Sequence, residues 1–238
     1  VFHPQGPTLG ELVRQALTST EHGYDLLAPK FDYTPFRTPD EVLHATLAHI
    51  APGSVEAALD LCCGTGAAMR VLRPLCRQRL VGVDFSQGML EVARQRLADA
   101  PGQAEIRLVR SDVLDMPFRE EFDLATCFGA LGHVVPADQP RFARRIYRAL
   151  RPGGRFVFPT AWYPGLAELR FWLAALFDLA MRVRNLLLSP PFIMYYLNFL
   201  LPEAKRLLER QGFDVEVREG VYGGRYRRLV LVIATRPG

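Results

Sequence analysis

The apolar positions of this chain fall in short runs separated by segments of helical period. Runs at 57–62, 79–84, 104–110, 122–128 and 155–160 read as strands, the third alternating in part through Ile106, Leu108 and Val109. Between them lie helical segments at 66–77, 87–98 and 138–150. Ser86 is placed to cap the second, and Arg151-Pro152-Gly153-Gly154 stops the third. Upstream, 8–28 reads as a helix interrupted, if anywhere, near Gly23. Residues 29–35 are aromatic and proline-rich and predict no regular element. A helix at 39–50 carries Asp40 and Glu41 in its first turn and stops at Pro52-Gly53. Downstream, a helix at 203–211 closes at Gly212, and strands 213–219 and 227–235 flank a turn at Gly223-Gly224.

Strands alternating with helices at this spacing predict an α/β fold. It is a doubly wound, mostly parallel, seven-stranded Rossmann-like sheet with an antiparallel C-terminal hairpin. Residues 1–50 then form an N-terminal helical cap. Residues 51–163 and 202–238 form the core, and 164–201 a helical insertion. The insertion holds two apolar runs, one cut by Asp178, Arg182 and Arg184 and one too short to span a bilayer. Asp178, Arg182 and Asn185 share one helical face. The rest of that helix is apolar, which leaves three uses open: an acceptor lid, a homodimer contact, or peripheral contact with a membrane.

Composition narrows the classes. With 49% hydrophobic and 23% charged residues over 238 positions, the chain is long and apolar enough to bury a core. The net charge of +4 is mild and spread out, and no nucleic-acid module is present, so no nucleic-acid partner is expected. Cys62, Cys63, Cys76 and Cys127 have no metal-ligand spacing, so no metal is expected. Free thiols and the absence of leader architecture in Val1-Phe2-His3-Pro4 fit a reducing, cytoplasmic setting.

The chemistry begins at Ala58-Leu59-Asp60-Leu61-Cys62-Cys63-Gly64-Thr65-Gly66. An apolar run ends in a small-residue turn, where Gly64 and Gly66 admit positive φ and let a ligand approach main-chain N–H groups. About eighteen residues on, Val81-Gly82-Val83-Asp84 is a second strand ending in an acid, which suits a nucleoside ligand. A nicotinamide site is disfavoured. Met69 stands where its last glycine would be, and Asp60 would repel a diphosphate while suiting a cationic ligand portion.

Leu59 through Gly66 resembles the first motif of class I S-adenosylmethionine-dependent methyltransferases of small-molecule type, with Cys62 in the place of the first glycine. Gly82 through Leu90 is similar to the family's second-strand signature. Ser111-Asp112-Val113, Phe122-Asp123-Leu124 and Leu150 through Phe156 resemble the next three. The resemblance implies that S-adenosylmethionine is the cofactor. Asp60 then lies near its amino-acid end, with Cys62, Gly64 and Gly66 in the turn. Asp84 accepts the ribose hydroxyls, and Asp112 and Val113 meet the adenine edge. Phe85 and Met89 either pack against adenine or serve the following helix, and Phe128 at the strand-four exit joins the cofactor set.

Tyr24 through Asp32 resembles the lead-in of small-molecule members, quinone-pathway enzymes among them, which folds over the cofactor. Tyr24 and Tyr33 either bond to its carboxylate or pack the helix onto the domain. His133, in the loop after strand four, is the candidate catalytic base, with a pKa near working pH. No Asp/Asn-Pro-Pro-Tyr sequence follows that strand, so a base-amine methylase of that type is not expected. The aromatic insertion points to a hydrophobic small-molecule acceptor. Methylation at oxygen is the first expectation. The alternatives are a lipid or quinone-type N- or C-methyltransferase at a membrane surface, and a non-catalytic cofactor-binding dimer partner.

Overall fold

A computed structural model describes residues 3–238; Val1 and Phe2, the start of the stretch read as lacking leader architecture, lie outside the described residues. The N-terminal cap holds α1 (Leu9–Ala16), α2 (Thr20–Leu27), a 3₁₀ turn (Ala28–Tyr33) and α3 (Asp40–Leu47). The core runs β1 (Val55–Leu61), α4 (Ala67–Leu72), β2 (Cys76–Asp84), α5 (Gln87–Leu97), β3 (Glu105–Arg110), β4 (Phe122–Cys127), α6 (Gln139–Ala149) and β5 (Leu150–Ala161). After α7 (Leu169–Leu187) the chain returns through α8 (Glu203–Gln211), β6 (Asp214–Arg218) and β7 (Leu229–Thr235).

The seven strands are ordered β3-β2-β1-β4-β5-β7-β6. Strands β1 to β5 are parallel, while β7 runs antiparallel between β5 and β6. Strand order reverses at β1 and β4, so a crevice opens beyond their C-terminal ends, where ligands bind in this class of sheet. Alternate side chains feed two cores. Leu59, Phe156, Phe158 and Val232 face one side with Phe142 and Ile146 of α6. Ala58, Val157 and Leu231 face the other, with Leu43, Met69, Leu90 and Leu97 of the opposing helices. Period-two alternation with both faces buried is what a sheet wrapped by helices requires.

Several boundaries move. The N-terminal helix breaks before Ser19, not near Gly23. Ser19 Oγ accepts from the His22 N–H at 3.1 Å and starts a new helix. Gly23 sits inside α2 for a different reason: a Cβ there would lie 2.7 Å from Phe192 Cε2 and 3.0 Å from the Gln15 carbonyl oxygen. The proline-rich 29–35 segment is mostly a 3₁₀ turn. The helix after the first turn stops at Leu72, with Pro74 in a 3₁₀ turn, and β2 starts early at Cys76. The Arg151–Gly154 stop lies inside β5, which pairs with Phe122 from Leu150 onward. Of the 164–201 insertion only 169–187 is helical.

Candidate active site

A cavity of ≈ 230 Å³ occupies the crevice beyond β1, β2 and β4. Its floor is the turn after β1. Cys62 has φ 52°, Gly64 φ 52° and Gly66 φ 81°, so the chain winds through left-handed conformations that glycine adopts freely. Cys62 holds the same conformation at a cost of about 1–2 kcal/mol, which accounts for the glycine expected in its place. The turn is tied by the Cys63 N–H to the Val83 carbonyl at 3.0 Å and the Gly66 N–H to the Cys63 carbonyl at 2.9 Å. A Cβ on Gly64 would meet no protein atom within 4 Å, so a side chain there takes room from the cavity the residue lines.

Two carboxylates face this space. Asp84 accepts from the Gly64 N–H through Oδ2 and from the Ser86 N–H through Oδ1, both at 2.9 Å. Burial nevertheless pushes its carboxyl up to about 6. Asp60 accepts from Thr126 Oγ1 through Oδ1 at 2.7 Å, and Oδ2 meets no protein donor among the described residues. Burial, aided by the nearby Asp84 charge, pushes Asp60 up to about 7. Arg37 also lines the cavity, and its buried Nε–H has no hydrogen-bond partner. The site therefore holds a buried carboxylate short of a cation, and an arginine that pairs with Asp40 through Nη2 at 2.5 Å and lies 3.8 Å from Asp32 through Nε while its Nε–H makes no hydrogen bond.

The N-terminal cap closes one wall. Asp25 Oδ1 accepts from Ser86 Oγ at 2.6 Å and from the Gly88 N–H at 2.9 Å. Asp32 accepts from Thr65 Oγ1 at 2.6 Å and pairs with Arg96. These bonds set Tyr24 beside the cavity. Its hydroxyl lies 2.8 Å from His133 Nε2, and His133 Nδ1 meets the Ile193 carbonyl. A carbonyl only accepts, so Nδ1 carries the proton and Nε2 accepts from Tyr24. Burial lowers the His133 pKa and raises that of Tyr24, so both are neutral near pH 7. The thiols of Cys62 and Cys63 are pushed up by their surroundings, Cys62 first by its hydrogen bond with Cys127 and both by burial, which makes them unreactive.

The opposite wall is an irregular strap, residues 192–198. Asn198 Nδ2 donates to the Leu131 carbonyl at 2.9 Å and the Val134 carbonyl at 2.7 Å, and the Tyr195 N–H donates to the Gly132 carbonyl at 3.0 Å. From the far side α7 grips the strap. Asp178 accepts from the Tyr196 N–H at 2.7 Å and the Leu197 N–H at 3.0 Å, and Asn185 exchanges two bonds with the Phe192 backbone. Arg182 lies over the Tyr195 ring at 4.7 Å. The shared face of Asp178, Arg182 and Asn185 is thus a clamp on the wall that gives Met194 and Tyr196 to the cavity.

Of the predicted site residues, Tyr24, Asp60, Cys62, Gly64, Asp84, Phe85, Met89, Phe128 and His133 come together around the cavity. Four stand elsewhere. Tyr33 stacks on His3 at 4.8 Å between ring centroids. Gly66 caps α4 and backs onto Leu97. Asp112 accepts from the Leu114 N–H at 2.8 Å in a local turn, and Val113 belongs to the core. Sequence reasoning missed Phe31, Phe36, Arg37 and Thr38; the aromatic, proline-rich stretch 29–35 holds the first and ends just before the other three. Met194 and Tyr196 carry no sequence signal, because an irregular strap places them.

The chain is similar to known proteins in sequence and in fold. A family model described as a methyltransferase domain matches residues 58–154. A demethylmenaquinone methyltransferase of Symbiobacterium thermophilum is 38% identical over 126 residues, covering 52% of this chain and 49% of the relative. A 2-phytyl-1,4-naphtoquinone methyltransferase of a Nostoc species is 39% identical over 103 residues, covering 42% and 44%. The chain thus spans about half the length of the curated relatives it matches. The methyltransferase in complex with the Haloferax volcanii Trm112 activator superposes with TM-score 0.64 at 18% identity, covering 92% of this chain and 98% of that one. Apo SibL, an S-adenosylmethionine-dependent methyltransferase, gives TM-score 0.63 at 20% identity, covering 84% and 55%. At these identities the structures speak for the fold.

Proposed function

We propose that this chain is a class I S-adenosylmethionine-dependent methyltransferase, its methyltransferase-domain match spanning residues 58–154, and that it methylates the ring of a quinone-type acceptor bearing an apolar tail. The observation that carries the acceptor is the 38–39% identity to quinone methyltransferases across the donor-site half of the chain. Both relatives are named for quinone acceptors, which favours the quinone alternative over the oxygen acceptor expected first. In its quinol form such a ring offers carbon as well as hydroxyl oxygen, and ring carbon is the acceptor atom proposed. The apolar wall of Phe31, Phe36, Met194 and Tyr196 suits a flat ring.

The donor site fits the cofactor on this chain's own groups. Asp60 offers a free carboxylate oxygen and Arg37 a free Nε–H to the two ends of a zwitterionic amino-acid group, and Asp84 retains lone pairs for the ribose hydroxyls. When bound, S-adenosylmethionine supplies a methyl group already activated on a sulfonium. The cavity walls align the acceptor and exclude water. An aromatic ring becomes a carbon nucleophile in its quinol form, more so as its O–H gives up a proton. Tyr24 is placed to accept that proton at its hydroxyl oxygen while passing its own to His133 Nε2. His133 keeps Nδ1–H on the Ile193 carbonyl and stores the charge. The ring later loses the hydrogen at the methylated carbon, so one methyl enters and one proton leaves.

The test is incubation with labelled donor and a reduced 1,4-naphthoquinol carrying a prenyl tail, with carbon-proton NMR on the product. A new ring-bound methyl supports the reading. A methoxy product restores the oxygen acceptor, and absence of any transfer with donor binding intact overturns the proposed function.

A further inference from the structure

One face of α2 answers both ring nitrogens of His133. Tyr24 takes Nε2 directly, its hydroxyl at 2.8 Å. Thr20 stands one helical turn earlier, so the two side chains are neighbours on the same face. Thr20 Oγ1 accepts from the Ile193 N–H at 2.8 Å, and Ile193 is the residue whose carbonyl receives the proton on His133 Nδ1. Thr20 lies outside the cavity lining, and it reaches the histidine only through the strap.

The strap is irregular here, so no helix or sheet ladder aims its carbonyls. Bonds from outside do. The Phe192 carbonyl and the Ile193 N–H belong to one planar peptide unit. Asn185 Nδ2 of α7 donates to that carbonyl at 3.0 Å, and Thr20 of α2 accepts from that N–H, so the plane is pinned at both ends by different helices. The Ile193 carbonyl is the next group along, and the Tyr195 N–H holds the chain beyond it to the Gly132 carbonyl at 3.0 Å. Pinning the plane decides where the imidazole proton sits. A neutral imidazole has one N–H and one lone pair, and the acceptor at Nδ1 is what keeps the lone pair on Nε2. If the carbonyl turns away, the proton is free to move to Nε2 and donate to the Tyr24 oxygen. In that form Nε2 has no lone pair with which to take a proton from Tyr24.

We propose that Thr20 is a positioning residue: by holding the 192–193 peptide plane it aims the Ile193 carbonyl at His133 Nδ1 and keeps Nε2 open to the Tyr24 proton. Helix α2 then sets the donor and the tautomer of its acceptor together, from two side chains one turn apart. The consequence for turnover rests on the proposed proton path through Tyr24, whereas the tautomer is a property of the ligand-free protein.

The experiment is two-bond proton–nitrogen NMR of the full chain with nitrogen-labelled histidine rings, without donor or acceptor, near neutral pH where burial keeps His133 uncharged. The chain has five histidines, and the signal missing from His133→Gln identifies the one of interest. The parent should show His133 with its proton on Nδ1. Thr20→Val keeps the branched shape and removes the acceptor, and its Nδ1–H share should fall to about half or less. Thr20→Ser keeps a hydroxyl and should restore the parent pattern. Thr20→Ala, also without an acceptor, should repeat the valine result, so the outcome does not hang on one substitution folding. A proton on Nε2 in the parent overturns the proposal. So does an unchanged tautomer in Thr20→Val and Thr20→Ala, which is what a purely structural threonine predicts even if stability drops. Turnover of a reduced naphthoquinol is a separate readout: kcat should fall about tenfold in Thr20→Val with KM within about twofold, and recover in Thr20→Ser. An active parent whose kcat is unchanged in Thr20→Val also overturns the proposal. Absence of transfer by the parent bears on the proposed function and leaves the tautomer result standing.

Discussion

Asp60→Asn separates what the site needs from what the fold prefers. Asp60 is 1% exposed and shares the cavity with a second acid. In the folded protein its carboxyl is raised from 3.8 to about 7, chiefly by burial and in part by Asp84, against the lowering bond from Thr126. A folded pKa above the unfolded one means that the folded state holds the proton more tightly. Stability from this group is therefore present at low pH and lost as pH rises from the unfolded value through the folded one. Each tenfold difference in proton affinity is worth about 1.4 kcal/mol, so the ionised carboxylate costs about 4 kcal/mol of stability above about pH 7, and little below about pH 4. Asparagine has no charge to bury and retains a hydrogen bond to Thr126. Urea unfolding of the ligand-free proteins across this range should show the variant gaining on the parent as pH rises, by up to about 4 kcal/mol near pH 8. Titration calorimetry with S-adenosylmethionine should show the reverse order of affinity, because the cationic end of the ligand loses its carboxylate. A stability gap that does not change with pH would refute the reasoning.

Other expectations concern the walls. Tyr24→Phe removes the hydroxyl between acceptor and His133; kcat should fall by about 10²-fold with donor affinity within about twofold, and an unchanged pH–rate profile would reject the relay. Gly64→Ala places a Cβ in the cavity at a left-handed residue; donor affinity, read by calorimetry, should drop at least about tenfold while stability falls by only about 1–2 kcal/mol. Asp178→Ala leaves the Tyr196 and Leu197 amides without their acceptor, so chemical denaturation should show a loss of about 3 kcal/mol, with Asp178→Asn in between because one acceptor oxygen remains.

The strands and the turn after β1 can be read directly from sequence, because buried strands and left-handed turns restrict residue type. Leu59, Val81 and Ala125 must be apolar wherever the rest of the chain goes, and Gly64 and Gly66 take φ values that disfavour other residues. The clamp was half visible. Helical period put Asp178, Arg182 and Asn185 on one face, but their partners are backbone groups of an irregular strap, and no periodicity specifies such a path. Gly23 misled for the opposite reason: it reads as a helix breaker, yet the ring of Phe192, remote in sequence, is what demands it. His133 lies in the strand-four loop and lines the cavity, whereas its bond to Tyr24 joins groups 109 residues apart and follows from the cap's docking.

The stem of the insertion separates its length from the sheet. The chain leaves the sheet at Ala161 and returns at Leu201, and the two ends are stitched together. The Leu201 N–H donates to the Ala161 carbonyl at 2.9 Å, and the Tyr163 N–H donates to the Leu201 carbonyl at 3.0 Å. Whatever is threaded between those points, β5 and β7 keep their register. Closing a longer loop on a fixed stem adds little entropic penalty, about 0.6 kcal/mol per doubling of length. The segment between the stitches is therefore an exchangeable cassette. Changes in its length or path reach the cavity through Met194 and Tyr196, while the β1 turn and Asp84 lie in parts of the chain that such changes leave in place.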